Sequence, residues 1–194
     1  MPEKILAVAG SARRDGNSDT LLDRALEPAR KEGYEVQMVI PQEFQFTPCR
    51  SCHGCWDTGR CVVQDEMQGL YTDFCEAKHV VVASPTYFTA LPGRLKMLID
   101  RFQCFWVRTY RLGEPPEPRR TGLFLSIAAM ESERYYKCCR TTVRTWLSTL
   151  NVESAVERFY GDLDGKEEVQ ERDDYLDDAR AAGRELLDSE PSEG

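Results

Sequence analysis

Residues 4–22, KILAVAGSARRDGNSDTLL, constrain the fold more than any other stretch. Ile5, Leu6, Ala7, Val8 and Ala9 are apolar without alternation, as in a strand covered on both faces. A polar turn follows over residues 10–18. Leu21, Leu22, Ala25, Leu26 and Ala29 then recur at helical spacing. A doubly buried strand passing through a turn into an amphipathic helix opens a βαβ unit, and such units build parallel sheets. Ser18 is the expected N-cap of this helix and Gly33 its expected C′ residue.

The pattern repeats along the chain. Tyr34, Val36, Met38 and Ile40 alternate as a second strand. Asp65 opens a helix that turns Met67, Leu70, Tyr71 and Phe74 inward. HVVVAS at 79–84 is a third strand. Pro92 suits the first turn of a helix with Leu91, Leu95, Leu98, Ile99, Phe102 and Trp106 on one stripe. A Pro- and Arg-rich loop spans 108–120, a strand 122–128, a helix 132–150, a weaker strand 152–160 and an acidic helix 164–187. Strands alternating with helices give an α/β protein. The fold expected is a flavodoxin-like three-layer sandwich with a five-stranded parallel sheet in the order 2-1-3-4-5. It forms a single domain over 1–187, with a cysteine-rich loop at 48–64 and a disordered tail at 188–194.

Charge narrows the function. The net charge is −8 over 194 residues. From Asn151 onward there are fifteen acidic and five basic residues, so the first 150 residues carry a net +2. This acidity argues against a nucleic-acid partner. No apolar stretch is long enough to cross a bilayer, and nothing resembles a secretory signal. The expected location is the cytoplasm, with no membrane partner.

In sheets of this order, ligands bind beyond the strand C-termini, between strands one and three. The relevant loops are 10–18, 85–91 and 128–132. The first is neither a P-loop nor a GxGxxG fingerprint. It is rich in donors around Gly16: Ser11, Arg13, Arg14, Asn17, Ser18 and Thr20 suit a terminal monophosphate held without magnesium. A solvent loop that merely caps the helix fits the spacing equally well. Asp15 and Asp19 oppose an anion and should turn away. Pro85, Thr86, Tyr87 and Phe88 offer a flat aromatic surface at the end of strand three, or ordinary packing. Lys96 and Asp100 are spaced to pair on one helix. The third loop is Ala128-Ala129-Met130-Glu131, without glycine.

Of eight cysteines, Cys49, Cys52, Cys55 and Cys61 crowd into thirteen residues as C-x2-C-x2-C-x5-C. Four close thiolates match the needs of a [4Fe–4S] cluster. Zinc favours two separated knuckles, which this run does not supply cleanly. Zinc and uncoordinated thiols remain the alternatives. Trp56 and Val62 would shield such a centre or cover the core. His53 reads as exposed rather than ligating. Cys75, Cys104, Cys138 and Cys139 fall in helices and read as packing residues, with one of the last two exposed. Arg108, Arg111, Arg119 and Arg120 make a basic loop, which would be solvated or would dock an acidic partner.

GSARRDGNSDTLL resembles the GSxRxxGNT/S loop of the NADPH-dependent FMN reductase family. SPTYFTALPGRLKMLIDR resembles that family's second signature, and the cysteine run resembles its iron–sulfur flavoprotein branch. The resemblance covers about residues 4–106. It implies that Ser11, Arg13, Gly16, Asn17 and Ser18 hold the FMN phosphate and that Pro85, Thr86, Tyr87 and Phe88 border the flavin ring. It implies an oxidoreductase passing electrons between FMN and a [4Fe–4S] cluster on Cys49, Cys52, Cys55 and Cys61. NAD(P)H or ferredoxin would be the donor, and the assembly a homodimer or homotetramer. Cluster-free members also exist, so a NAD(P)H-dependent FMN or quinone reductase is the alternative. A non-enzymatic electron carrier and a zinc-binding module are the further ones.

Overall fold

A computed structural model describes residues 2–191 of the chain. Its five strands are β1 (Lys4–Ala9), β2 (Glu35–Val39), β3 (His79–Pro85), β4 (Arg120–Ile127) and β5 (Val152–Tyr160). They form one sheet in the order β2-β1-β3-β4-β5, with every neighbouring pair parallel. The doubly buried runs occupy the centre. Val8 of β1 lies between Val39 of β2 and Val82 of β3.

Each central strand feeds two cores because its side chains alternate between faces. Leu6, Val8, Val80, Val82 and Phe124 point into one core with α2 (Met67–Glu76), α3 (Gly93–Asp100), α4 (Gln103–Trp106) and α5 (Glu133–Thr149). Ile5, Ala7, Val81, Ala83, Leu123 and Leu125 point into the other, covered by α1 (Asn17–Lys31) and α6 (Asp173–Asp188). Gly10 ends β1 where no side chain fits. A Cβ there would lie 2.6 Å from Leu95 and 3.0 Å from the Ala83 carbonyl. That contact draws the turn after β1 against β3 and α3.

The helix ends depart from the sequence expectations in three places. Gly16, not Ser18, caps α1; its carbonyl accepts from the Thr20 N–H at 3.0 Å, which leaves Ser18 within the first turn. Gly33, with φ +85°, takes the expected C′ role. The stripe from Leu91 to Trp106 breaks because α3 stops at Asp100 and α4 restarts at Gln103, so Trp106 emerges 47% exposed. The acidic helix begins at Asp173 rather than Asp164, after a 3-10 turn at Glu168–Glu171. Residues 192–194 of the expected tail lie outside the described residues.

The 108–120 stretch is an exposed loop over residues 112–119, as expected, but its two ends are structured. It starts as a π-helical turn, Val107–Arg111, and ends in β4. Arg120 is buried, and its guanidinium donates to the carbonyls of Phe74 (2.6 Å), Cys75 (3.1 Å), Ala77 (2.8 Å) and Leu150 (2.7 Å). One side chain thus satisfies the carbonyl ends of both α2 and α5, where a cation is favoured. Arg120→Met leaves these carbonyls unpaired and should lower unfolding stability by about 3 kcal/mol in urea titration. An unchanged midpoint would contradict this capping role.

Candidate functional site

Two cavities lie at the ends of one continuous segment, which runs from the tip of β3 through α3. The first is a cleft of about 150 Å³ lined by Ser11, Arg13, Gly16, Asn17, Ser18, Pro85, Thr86, Tyr87, Ala128 and Asp164, among others. Eight of the nine residues expected around a cofactor meet here. Phe88 does not; it projects into solvent, fully exposed, at φ +50°.

The turn before α1 is shaped by its own side chains. The Ser11 hydroxyl donates to the Arg13 carbonyl at 2.9 Å and accepts from the Arg13 N–H at 3.1 Å. The first intrahelical bond is made by Thr20, so the N–H groups of Asn17, Ser18 and Asp19 precede the helical ladder. Buried Ser18 and exposed Arg13 line the same cleft. Such a turn suits an anion. Asp15 and Asp19 face a different groove, shared with Arg14. Asp19 is half-buried rather than solvated. It accepts from the Asp15 N–H at 2.9 Å and pairs with Arg14 at 3.0 Å, while burial pushes its carboxyl above the usual range.

Asn17 has a further task that its spacing did not reveal. Its amide donates to the Gly165 carbonyl at 2.9 Å and accepts from the Val169 N–H at 3.1 Å. This tether brings Leu163 and Asp164 into the cleft wall. Sequence reading missed both residues, since no local signal marks a contact across so long a separation. Ala128 and Ala129 supply the third wall without glycine. The N–H groups of Thr86 and Tyr87 are committed to the Ile127 carbonyl (2.7 Å) and the Ala90 carbonyl (2.9 Å). Those two amides are therefore not free for a ring.

The second cavity, of about 470 Å³, collects Cys49, Cys52, Cys55 and Cys61 together with Cys104, Arg101, Trp56 and Val62. Cys49 and Cys52 are exposed, and Cys55 and Cys61 half-buried. Burial pushes the Cys55 thiol up, and the thiols of Cys61, Cys49 and Cys52 add to the rise. Burial likewise raises Cys104 to about 11. His53 stacks on Trp56 at 3.8 Å, and Arg111 lies over the other ring at 4.5 Å. Among the described residues, no three His, Cys, Asp or Glu side chains are gathered tightly enough to hold a metal ion as they stand. The donor chemistry and the room nevertheless suit a four-thiolate centre.

The cysteine loop has no helix or strand, yet it is held from several sides. Arg101 donates to the Thr47 carbonyl at 2.8 Å and to Asp65 at 2.6 and 3.0 Å. Gln68 donates to the Cys61 and Val63 carbonyls, Arg108 to Gly59 at 2.9 Å, and Arg111 to Trp56 at 3.3 Å. Gly59, at φ +63°, admits Arg108, whose Cγ would lie 2.4 Å from an added Cβ. Ser51 and His53 adopt the same left-handed region without being glycine. Strain of this kind persists where the surroundings over-determine the backbone. Lys96 and Asp100 pair at 2.6 Å on the exposed side of α3, as expected.

Residues 3–154 match the family described as NADPH-dependent FMN reductase. The chain belongs to that family. An iron–sulfur flavoprotein of Methanosarcina thermophila is 35% identical over 98 residues, covering 50% of this chain and 51% of that protein. One from Methanocaldococcus jannaschii is 32% identical over 98 residues, covering 50% and 51%. The chain thus spans about half the length of the curated relatives it matches. Among solved structures, an NAD(P)H:quinone oxidoreductase from Methanothermobacter marburgensis superposes with a TM-score of 0.72 at 16% identity, covering 100% of this chain and 99% of that one. An FMN-dependent NADH-azoreductase from Bacillus anthracis, in complex with FMN, gives 0.70 at 11%, covering 96% and 100%. At such identities the likeness shows the fold. No helix among the described residues of this FMN reductase-family chain is long and apolar enough to cross a membrane.

The tether makes a specific demand on Asn17. Asn17→Ala should speed amide hydrogen exchange at Val169 at least tenfold while the amides of β1 and β3 keep their protection. Unaltered exchange at Val169 would show that the tether does not hold the cleft wall.

Proposed function

We propose that the chain is an FMN-dependent oxidoreductase with a second redox centre, a [4Fe–4S] cluster on Cys49, Cys52, Cys55 and Cys61. The observation that carries this reading is that one short segment serves both cavities. Pro85, Thr86 and Tyr87 line the cleft, while Asp100 and Arg101 line the cysteine cavity. Between them runs α3, eight residues and about 12 Å long.

When bound, FMN supplies hydride acceptance and one-electron steps, and a cluster supplies single-electron transfer. The chain supplies position. Arg13 would give the phosphate a charge-assisted contact, and the Gly16–Ser18 turn its N–H groups and the Ser18 hydroxyl. Asn17 acts mainly through its tether, since both ends of its amide are engaged. Tyr87 would flank the ring and Phe88 would rim it. NAD(P)H or ferredoxin would deliver electrons to a homodimer or homotetramer in the cytoplasm.

The second reading is a cluster-free NAD(P)H-dependent reductase. Its support is that no three of the thiols are drawn together as they stand. Both readings share the phosphate site, which is tested first. Arg13→Gln should weaken FMN binding by about ten- to a hundredfold, as expected for a lost bond to a charged group. Riboflavin affinity should barely change, so the preference for FMN over riboflavin should shrink. Equal weakening for both flavins, or none, would contradict the placement. NAD(P)H oxidation by the FMN-loaded protein then distinguishes a reductase from a carrier.

A further inference from the structure

Arg101 is the C-cap residue of α3. Its setting is unusual. The side chain is about 1% exposed, although it carries a fixed positive charge. One terminal nitrogen donates to the Thr47 carbonyl and to Asp65 Oδ2. The other donates to Asp65 Oδ1 at 3.0 Å and lies 3.5 Å from Cys61 Sγ. The residue forms part of the cysteine cavity wall, and its buried Nε–H has no hydrogen-bond partner.

Asp65 is the carboxylate that faces this charge. Burial works against its ionised form, yet the Arg101 guanidinium holds it below the usual carboxylate range. One carboxylate neutralises one guanidinium, and the bidentate pair would be complete without the sulfur. Instead the fork is set so that a further donor meets Cys61 and one N–H stays unspent at the wall. A buried cationic donor left unsatisfied is disfavoured unless an acceptor comes to meet it.

We infer that Arg101 is a tuning residue for the centre held by the four cysteines: it places a fixed cation and a hydrogen bond on Cys61, favouring the more negative, reduced form. This rests on the cluster reading above. Hydrogen bonds to ligating sulfur and local charge both set the potential of such centres. Gaining an electron makes the thiolate-held group more negative, so a nearby guanidinium stabilises the reduced form and raises the potential. The Cys61 corner would therefore carry most of this effect.

The test uses the full chain, loaded with FMN and anaerobically reconstituted with ferrous iron and sulfide. Wild type is compared with Arg101→Gln, which removes the charge, and Arg101→Lys, which keeps a charge for Asp65 but gives up the fork. Iron, sulfide and FMN per chain are measured first, and the cluster is then titrated against potential. At a fixed potential, Arg101→Gln should lower the reduced-to-oxidised ratio at least tenfold, about 59 mV for a one-electron couple. Arg101→Lys should shift it less, in the same direction. Loaded variants with the wild-type potential would overturn the inference. So would variants that keep FMN but take up no iron, which would leave Arg101 a structural staple. Wild-type protein that takes up no iron would overturn the cluster reading itself.

Discussion

The architecture depends on a few guanidinium groups buried against backbone carbonyls. A parallel sheet with two helical layers fixes its own strands, but it leaves the connections at both edges unsupported. Arg101 joins the two ends of the cysteine loop, at Thr47 and Asp65, from the end of α3. Removing a guanidinium from water is costly, and a bidentate carboxylate with an added carbonyl offsets that cost. Arg94 does similar work about two turns earlier, at the start of α3, donating to the carbonyls of Pro41, Phe44 and Phe46 and lying 4.0 Å over the Phe46 ring. Arg120 caps two helices at the opposite end of the sheet. Arginine fits these places because its planar fork reaches several acceptors at once.

Rigidity at these points has a chemical consequence. The turn that lines the cleft leads into α3, whose last residue, Asp100, lines the cysteine cavity and whose buried face, Leu95, Leu98 and Ile99, packs into the core. The turn at Pro85 and the guanidinium at Arg101 are therefore fixed relative to one another. On the proposed reading, two centres exchanging electrons would need such a fixed relation, and the bonds from Arg101 to Thr47 and Asp65 would tie the irregular segment at 47–65 to it.

Much of the fold was legible in the sequence because its signals are local. Continuous apolar runs marked β1 and β3, and the alternation from Tyr34 to Ile40 marked β2. Tyr136, Cys139, Val143, Trp146 and Leu147 fall at helical spacing within the expected helix and form the buried face of α5. Of the Cys138-Cys139 pair, one is exposed and one buried, as helical geometry requires. The failures are all tertiary. Nothing near Asn17 says that its amide will be spent on Gly165 and Val169. Nothing in a run of arginines says that Arg120 will be buried or that Arg108 and Arg111 will clasp the cysteine loop. Trp106 was assigned to the core because helical spacing was carried across a break at Arg101. Ser11, Arg13 and Gly16 to Ser18, from one continuous motif, meet in the cleft, whereas Leu163 and Asp164 reach it from distant chain that no local signal marks.

The central claim is that one chain holds a flavin and a four-thiolate iron–sulfur centre, positioned by the same helix. Stoichiometry after anaerobic purification and reconstitution addresses this most directly. The account predicts about one FMN, four iron and four sulfide per chain, with the iron lost when Cys49, Cys52, Cys55 or Cys61 is replaced by serine. Stoichiometric FMN in protein that takes up zinc, or no metal, would contradict it.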